Sequence, residues 1–256
     1  DTSYMGGGKA EGLDRISGIP GVKVPPYMVI EANDPAGVQA AKVQKFIAAH
    51  SEPNTAFEQV AVRSSALNED GEFASLAGAF KTILNVPREA APILAAIHDV
   101  QSHGQAKLQE VFNLLSPAMG VVVQKMIDEP DYAGVCLSQG FGADDGAYML
   151  LNFKQGLGDG LVSGATAGKQ LRVLRSDAYR PEVVARFPFL PELVQVIDKV
   201  QPRYDGKPVD IEFAYKDGEL HTLQARHFLA KNEVKSEQRQ SMLVAANEAQ
   251  QHVEAA

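Results

Sequence analysis

The chain has 256 residues, 45% of them hydrophobic, and a formal net charge of -8. This content is enough for a sizeable core in one large domain or two associated lobes, and it excludes general disorder. The acidic balance disfavours nucleic acid as the main partner, because no surplus of basic residues is available to neutralise a phosphate backbone.

The single cysteine, Cys136, excludes an internal disulfide and a cysteine-rich zinc site and favours a reducing, cytoplasmic location. No apolar run reaches the length of about 18 residues that a membrane span needs. Residues 1–9 lack the basic and then apolar order of a signal peptide. Because the first residue is Asp and not Met, we expect the natural chain to be longer.

The first part of the chain is predicted to alternate between helices and short strands. Asp34 and Pro35 have the chemistry of a helix cap and a first helical position. The predicted elements are a glycine-rich loop (4–12), a short helix ending at Gly18, an extended segment (22–30), a helix from Pro35, a buried strand (60–62), and two helices within 89–115 that break near His103-Gly104.

The second part is predicted to be mainly sheet, and we place the boundary between the two lobes near Pro117. The predicted elements are strands at 121–126, 134–138, 147–153 and 170–174, a helix at 190–200, a final hairpin, and a C-terminal helix or linker at 231–256. The prediction is therefore one α+β domain over 1–230, with lobes of about 1–117 and 118–230.

The final hairpin has an acidic face. Alternation along the first strand sends Asp210 and Glu212 to one side and apolar residues to the other. A three-residue loop at 216–218, with Gly218 in the left-handed conformation, keeps the apolar faces of the two strands matched, whereas a two-residue loop breaks the match. We therefore predict the three-residue loop.

In that register Gln224 and Arg226 join the two carboxylates on the same face. The set combines oxygen ligands for a hard divalent cation with a guanidinium that suits phosphate. The alternative is the solvent-facing polar side of an edge hairpin, which alternating strands often show.

Two segments in the first half are candidates for phosphate binding. Gly6-Gly7-Gly8-Lys9 offers unhindered amides and an ammonium just before a helix, but it does not fit the P-loop spacing; the alternative is a flexible terminus. Arg63-Ser64-Ser65 places a guanidinium and two hydroxyls at the end of a buried strand, where ligands of open sheets bind; the alternative is a capped turn.

Several short fragments, in this order, resemble one family, the nucleotide domain of phosphoenolpyruvate synthase and pyruvate phosphate dikinase. The fragments are Gly7-Gly8-Lys9, Val24-Pro25-Pro26, Ala61-Val62-Arg63-Ser64-Ser65-Ala66, Glu69-Asp70, Ala77-Gly78, Leu84-Asn85-Val86, Val123-Gln124-Lys125-Met126, Ala133-Gly134-Val135, Gly156-Leu157-Gly158-Asp159, Asp210-Ile211-Glu212 and Leu223-Gln224-Ala225-Arg226. The shared order over residues 6–226 makes the resemblance specific.

The resemblance implies an ATP-grasp fold with ATP bound between two lobes. It implies that Lys9, Arg63 and Arg226 meet the phosphates and act in catalysis. The residues implied to contact ATP or Mg²⁺ are Gly8, Lys9, Arg63, Ser64, Ala77, Gly78, Gln124, Lys125, Met126, Asp159, Asp210, Glu212, Gln224 and Arg226. Among these, Glu212 and Gln224 would bind Mg²⁺, 124–126 would line the adenine, and 77–78 would belong to a lid at 74–78.

In this family the domain transfers a phosphoryl group from ATP to a histidine on a separate swinging domain and leaves AMP. The family's phosphohistidine segment is absent from this sequence, and the lid reads Ser75-Leu76-Ala77-Gly78-Ala79 instead of the commoner form with Phe and Gln. We expect the acceptor histidine on a missing domain or a partner protein, and we expect neither nucleic acid nor a membrane as partner. The alternatives are a nucleotide-binding regulatory or partner-binding module without turnover, and an ATP-grasp ligase, against which the Arg63-Ser64-Ser65 segment argues.

Overall fold

The computed structural model describes residues 4–54, 56–68, 79–140, 146–156 and 168–228. The chain divides into two compact units, of which the first comprises residues 1–11 and 25–126 and the second comprises 12–24 and 127–256. Each unit contains an antiparallel sheet and its own hydrophobic core. The predicted α+β class is confirmed.

The first unit contains a four-stranded sheet in the order β1-β4-β2-β3. Its elements are β1 (Tyr27–Ile30), α2 (Ala36–Ala49), β2 (Gln59–Ala66), β3 (Thr82–Pro87), α3 (Ala90–Phe112) and β4 (Met119–Lys125), and α1 (Gly8–Ile16) begins in this unit. One face of the sheet carries β-branched residues of β2 and β4, which pack against the buried sides of α2 and α3. Burial of these apolar side chains is the main favourable term that holds the unit together.

The structure of this unit differs from two expectations drawn from the sequence, the position of the boundary and the break in helix α3. The division between the units follows Met126 and not Pro117, because β4 completes the first sheet by pairing with both β1 and β2. Helix α3 is continuous, and the break predicted near residue 103 is wrong. Gly104 is buried inside the helix, where a side-chain Cβ would lie 2.5 Å from Cε of Met119. The glycine thus provides close helix-to-sheet packing at this point and does not end the helix.

The second unit contains a five-stranded sheet in the order β7-β6-β5-β8-β9. Its elements are β5 (Tyr132–Leu137), β6 (Tyr148–Gln155), β7 (Lys169–Leu174), a 3₁₀ turn (Arg175–Tyr179), α4 (Pro181–Arg186), α5 (Leu190–Val200), a second 3₁₀ turn (Gln201–Tyr204), β8 (Val209–Lys216) and β9 (Glu219–His227). Helix α5 packs its buried side on one face of this sheet. The opposite face is where the polar residues of the strands project.

Aromatic side chains fill the centre of the second core. Phe189 stacks on Phe213 with ring centroids 5.2 Å apart, and Phe153 meets Phe189 edge to face at the same distance. These residues are almost completely buried, so the sheet and the helices are joined by contacts that have a fixed geometry. None of the helices in the described ranges has the length and apolar character required to cross a membrane.

Candidate functional site

In the first unit, the candidate residues lie on the sheet face that is turned away from α2 and α3. Val60 and Val62 of β2 face the helices, so alternation places Arg63 on the other side. Gln124 of β4 is opposite Ala61 in the register and shares the face of Arg63. The Arg63 side of β2 and the Gln124 side of β4 therefore form one surface, although both residues are more than nine-tenths buried.

Lys9 is joined to the strand that carries Arg63. It lies in the first turn of α1, and its Nζ donates a hydrogen bond to the backbone carbonyl of Ser64 at 2.8 Å. The side chain of Ser64 is on the side of Val62, and its buried Oγ has no hydrogen-bond partner among the described residues. Ser64 thus contributes its carbonyl on the Lys9 side, while its hydroxyl lies on the helix side of the sheet.

The glycine-rich segment before α1 is fixed against the same sheet. Gly7 has φ +88°, and a Cβ there would lie 1.9 Å from the carbonyl oxygen of Ser65; a Cβ on Gly120 of β4 would lie 2.2 Å from the carbonyl oxygen of Gly6. The Oγ of Ser65 accepts a hydrogen bond from the amide of Ala10 at 3.1 Å. In contrast to the alternative of a flexible terminus, the described part of this segment is packed against β2 and β4.

The predicted adenine-lining segment at the end of β4 is anchored by its own unit. Nε2 of Gln124 donates to the carbonyl of Pro25 at 3.4 Å, and the amide of Lys125 donates to the carbonyl of Pro26 at 2.9 Å. The amide of Met126 donates to the carbonyl of Gln59 at 3.1 Å. These bonds fix the course of the segment in space. The assignment of the segment to adenine remains a prediction.

In the second unit, the hairpin of β8 and β9 has the predicted polar face, but its turn and register differ from the predicted ones. The turn has two residues, Asp217 (φ +51°) and Gly218 (φ +77°), so the predicted three-residue loop is wrong. Positive φ at both central positions is typical of the tight turn whose twist suits a hairpin. A bulge at Leu223 then adds one residue to β9 and restores the match between the apolar faces.

Beyond the bulge, the register places Glu212 opposite Gln224 and Asp210 opposite Arg226. The prediction that these four side chains share a face is confirmed. Nε of Arg226 donates to Oδ2 of Asp210 at 3.0 Å, and the Asp210 side chain is only 13% exposed. A charge-assisted bond of this kind orients the guanidinium beside the Glu212–Gln224 pair.

Glu212 is 9% exposed, and Nε2 of Gln224 is buried without a hydrogen-bond partner among the described residues. Leaving such a donor unsatisfied costs about 1–3 kcal/mol, so the amide is suited to a ligand that supplies an acceptor. The carboxylate and the amide oxygen are also hard ligands of the kind that Mg²⁺ prefers. The donor set therefore fits a metal ion that arrives together with an oxygen-rich anion.

The strand that carries Gln224 and Arg226 is held by residues from the start of the chain that belong to the same unit. A Cβ on Gly12 of α1 would lie 2.3 Å from the carbonyl oxygen of Ala225, so the helix backbone approaches β9 closely. The hydroxyl of Tyr204 donates to that same carbonyl at 3.0 Å, and the guanidinium of Arg15 lies 4.7 Å from the centre of the Tyr204 ring. These contacts fix the backbone of β9 at Ala225, the residue between Gln224 and Arg226.

Two polar residues of β6 that the sequence did not indicate share this face. Met149, Leu151 and Phe153 are buried in the hydrophobic core, so Asn152 and Lys154 project from the opposite side. The alternation of apolar and polar residues in 149–154 is the signal that would have found them.

Some kinds of chemistry have no support in the described ranges. They contain no group of three or more His, Cys, Asp and Glu residues that could hold a metal ion. Cys136 is completely buried, and this burial raises the pKa of its thiol, which makes it a poor nucleophile. Ala77, Gly78 and Asp159 of the predicted site, like the predicted C-terminal helix at 231–256, lie outside the described residues.

A family model described as "Pyruvate phosphate dikinase, AMP/ATP-binding domain" matches residues 35–186. An uncharacterized phosphotransferase, YvkC, of Bacillus subtilis is 29% identical, with 66% of this chain and 24% of that protein covered. A probable phosphoenolpyruvate synthase of Methanocaldococcus jannaschii is 28% identical, with 65% and 17% covered. The prodigiosin synthesizing transferase PigC of Serratia marcescens is 30% identical, with 65% and 22% covered. The match thus spans about a quarter or less of these relatives.

Among solved structures, D-alanine-D-alanine ligase from Helicobacter pylori matches with a TM-score of 0.43 and 12% identity, covering 96% of this chain and 58% of the ligase. A RimK domain protein of the ATP-grasp type from Sphaerobacter thermophilus matches with a TM-score of 0.40 and 13% identity, covering 94% and 66%.

The close approach at Gly120 yields a prediction about the segment that carries Lys9. Gly120→Ala forces the backbone near Gly6 to move, because the new methyl group meets a carbonyl oxygen and not a flexible side chain. We expect a loss of about 1–3 kcal/mol in the free energy of unfolding, measured by denaturant titration, together with faster proteolysis near residues 4–9.

The matched control is Gly37→Ala in the first turn of α2, where nothing lies within 4 Å of the added Cβ. This variant should be neutral or slightly stabilising, because alanine favours helix. Equal stability of the Gly120 variant and the wild type would show that the glycine segment is not packed as described.

Proposed function

Because the chain belongs to the family of pyruvate phosphate dikinase AMP/ATP-binding domains, we propose that it binds ATP with Mg²⁺ and transfers a phosphoryl group from the nucleotide to a histidine on another domain or on a partner protein. The proposal includes the ATP-grasp fold that the family resemblance implies. The observation that carries the proposal is the polar face of β8 and β9, where the Glu212–Gln224 pair lies beside the Asp210–Arg226 pair.

In the proposal, Glu212 and Gln224 hold Mg²⁺. Magnesium is usually bound by one or two carboxylates together with phosphate oxygens and water, and rarely by a cage made only of protein ligands. The carboxylate–amide pair on this face suits a metal of that kind. When bound, the ion neutralises charge on the phosphate groups. The buried Nε2 of Gln224 would find its missing acceptor in a phosphate oxygen.

Arg226 would bind a phosphate group through its guanidinium. Its Nε donates to Oδ2 of Asp210, and this charge-assisted bond orients the guanidinium on the polar face. In the first unit, Lys9 and Arg63 would contact phosphate, with the Gly8 amide at the start of α1 as a further donor. The segment 124–126 would line the adenine.

Phosphoryl transfer needs alignment and charge neutralisation more than a covalent protein group. Arginine, lysine and carboxylate side chains suffice for that role, and the buried Cys136 is not required as a nucleophile. The acceptor is proposed to be a histidine because the family resemblance implies one. It is proposed to lie on another domain or a partner protein because the family's phosphohistidine segment is absent from this sequence. The proposed products are the phosphohistidine, AMP and inorganic phosphate, with one water molecule consumed in releasing the terminal phosphate.

The first prediction concerns the metal. By titration calorimetry, we expect the wild type to bind ATP more tightly with Mg²⁺ than without it, and we expect Glu212→Gln to lose most of this difference, because an amide replaces the anionic ligand. The matched control is Glu219→Gln on β9, since Glu219 is exposed and paired with Lys23. This control should retain the effect of Mg²⁺.

A wild type that fails to bind Mg²⁺ and ATP would overturn the proposed function. The same effect of Mg²⁺ in the Glu212 variant and the wild type would leave nucleotide binding intact but remove Glu212 from the metal site.

The second prediction concerns the acceptor. Mixed with ATP, Mg²⁺ and a separately expressed phosphohistidine domain of the phosphoenolpyruvate synthase type, the chain should form AMP, as resolved by anion-exchange chromatography. The same domain with its acceptor histidine replaced by alanine is the control and should yield no AMP. Tight ATP binding with no product in either mixture would contradict phosphotransfer and favour a nucleotide-binding module without turnover.

A further inference from the structure

Lys154 is a lysine that is almost completely buried on the polar face of the second sheet. It is 5% exposed, next in sequence to Phe153 of the hydrophobic core, and alternation turns its side chain to the opposite face, which carries Glu212. Lysine is among the residues least often buried, because its ammonium loses hydration. Its position therefore calls for a charged environment on this face.

The register shows what lies between Lys154 and β9. Across the sheet, Lys154 is beside Ala133 of β5, which is beside Ala214 of β8, which is opposite His221 of β9. The two alanines cover little of the surface above the strands. This leaves room for the long, flexible stem of a lysine to extend across the face.

The neighbouring row of residues contains the proposed metal ligands. Asn152 of β6 is beside Val135 of β5, which is beside Glu212, which is opposite Gln224. Successive residues on one face of a strand are about 7 Å apart, and adjacent strands are about 5 Å apart. The Cα of Lys154 thus lies one row and two strands away from that of Glu212. Across this separation, a lysine and a glutamate side chain can both contact one ligand that lies between them.

The charges on this part of the face are balanced before a ligand binds. Asp210 and Glu212 are acidic, Lys154 and Arg226 are basic, and the Asp210 carboxylate is bonded to Arg226. A metal ion bound at Glu212 would neutralise the charge of the Glu212 carboxylate. The ammonium of Lys154 would then add positive charge for the phosphate groups on the face that also carries the Arg226 guanidinium.

We propose that Lys154 contacts the terminal phosphates of the Mg²⁺-bound nucleotide, as a further binding residue on the face formed by β5, β6, β8 and β9. The inference rests on the proposed function. The terminal phosphates are named because Lys154 is one row from the residues that would hold Mg²⁺, and the ion would supply charge neutralisation to those phosphates.

The test compares the affinities for ATP and AMP in the presence of Mg²⁺, by titration calorimetry. Lys154→Met keeps the length of the stem and removes the charge, so we expect a loss of about tenfold or more in ATP affinity, with AMP affinity changed by less than about twofold. Lys154→Arg keeps the charge and should retain most of the preference for ATP. The matched control is Lys169→Met on β7, an exposed lysine whose replacement changes the net charge equally.

A structural role would give a different result, because both affinities would fall together and the thermal midpoint would drop. If Lys154→Met does not fold, wild-type protein labelled with ¹³C at lysine Cε answers the question, with the Lys154 signal assigned from the Lys154→Arg spectrum. That signal should shift on addition of ATP with Mg²⁺ and not on addition of AMP.

The failure of this inference can be told from the failure of the proposed function. If the wild type does not bind ATP with Mg²⁺, both fall. If it binds, and Glu212→Gln loses the effect of Mg²⁺, an unchanged ratio of ATP to AMP affinity in Lys154→Met, or an unshifted Lys154 signal, overturns the role of Lys154 alone.

Discussion

The cross-strand register of β8 and β9 is the constraint on which the candidate site depends. A shift of one residue would turn an entire row of side chains to the other face of the sheet. The tight turn at Asp217-Gly218 by itself sets a register in which odd residues pair with even ones. The bulge at Leu223 corrects this, so that Glu212 and Gln224, and likewise Asp210 and Arg226, meet across the strands.

The core and the site are two faces of the same strands. Ile211 and Phe213 are buried in the hydrophobic core on one side, while Glu212 projects on the other. The core therefore fixes the orientation of the polar residues without contacting them. Glycine has a related role in the first unit, where Gly7 and Gly120 allow the segment before Lys9 to pack against the backbone of β2 and β4.

The alternation of apolar and polar residues along a strand predicted which face of the sheet each side chain occupies, because neighbouring residues decide this locally. It placed Asp210 and Glu212 on one face. The family resemblance, drawn from fragments over residues 6–226, is confirmed by a family model that matches residues 35–186. The same rule, applied to 149–154, would have pointed to Lys154.

The features that the sequence did not predict depend on distant residues. The bulge at Leu223 follows from matching two apolar faces around a turn whose length local sequence leaves open. The place of β4 in the first sheet is decided by its pairing with β1 and β2. The continuity of α3 through Gly104 reflects contact with Met119, and the helix-side position of the Ser64 hydroxyl follows from the way β2 faces α2 and α3.

The most direct test of the central claim, that the face of Glu212 and Gln224 binds the metal–nucleotide complex, is a nuclear magnetic resonance measurement with Mn²⁺ in place of Mg²⁺. The paramagnetic ion broadens signals from nearby protons, and the side-chain amide of Gln224 provides a reporter at the proposed ligand. With ATP present, trace Mn²⁺ should broaden that signal and the backbone amides of β8 and β9 near it, and added Mg²⁺ should reverse the effect. A sharp Gln224 signal under conditions in which other parts of the protein are broadened would contradict the account.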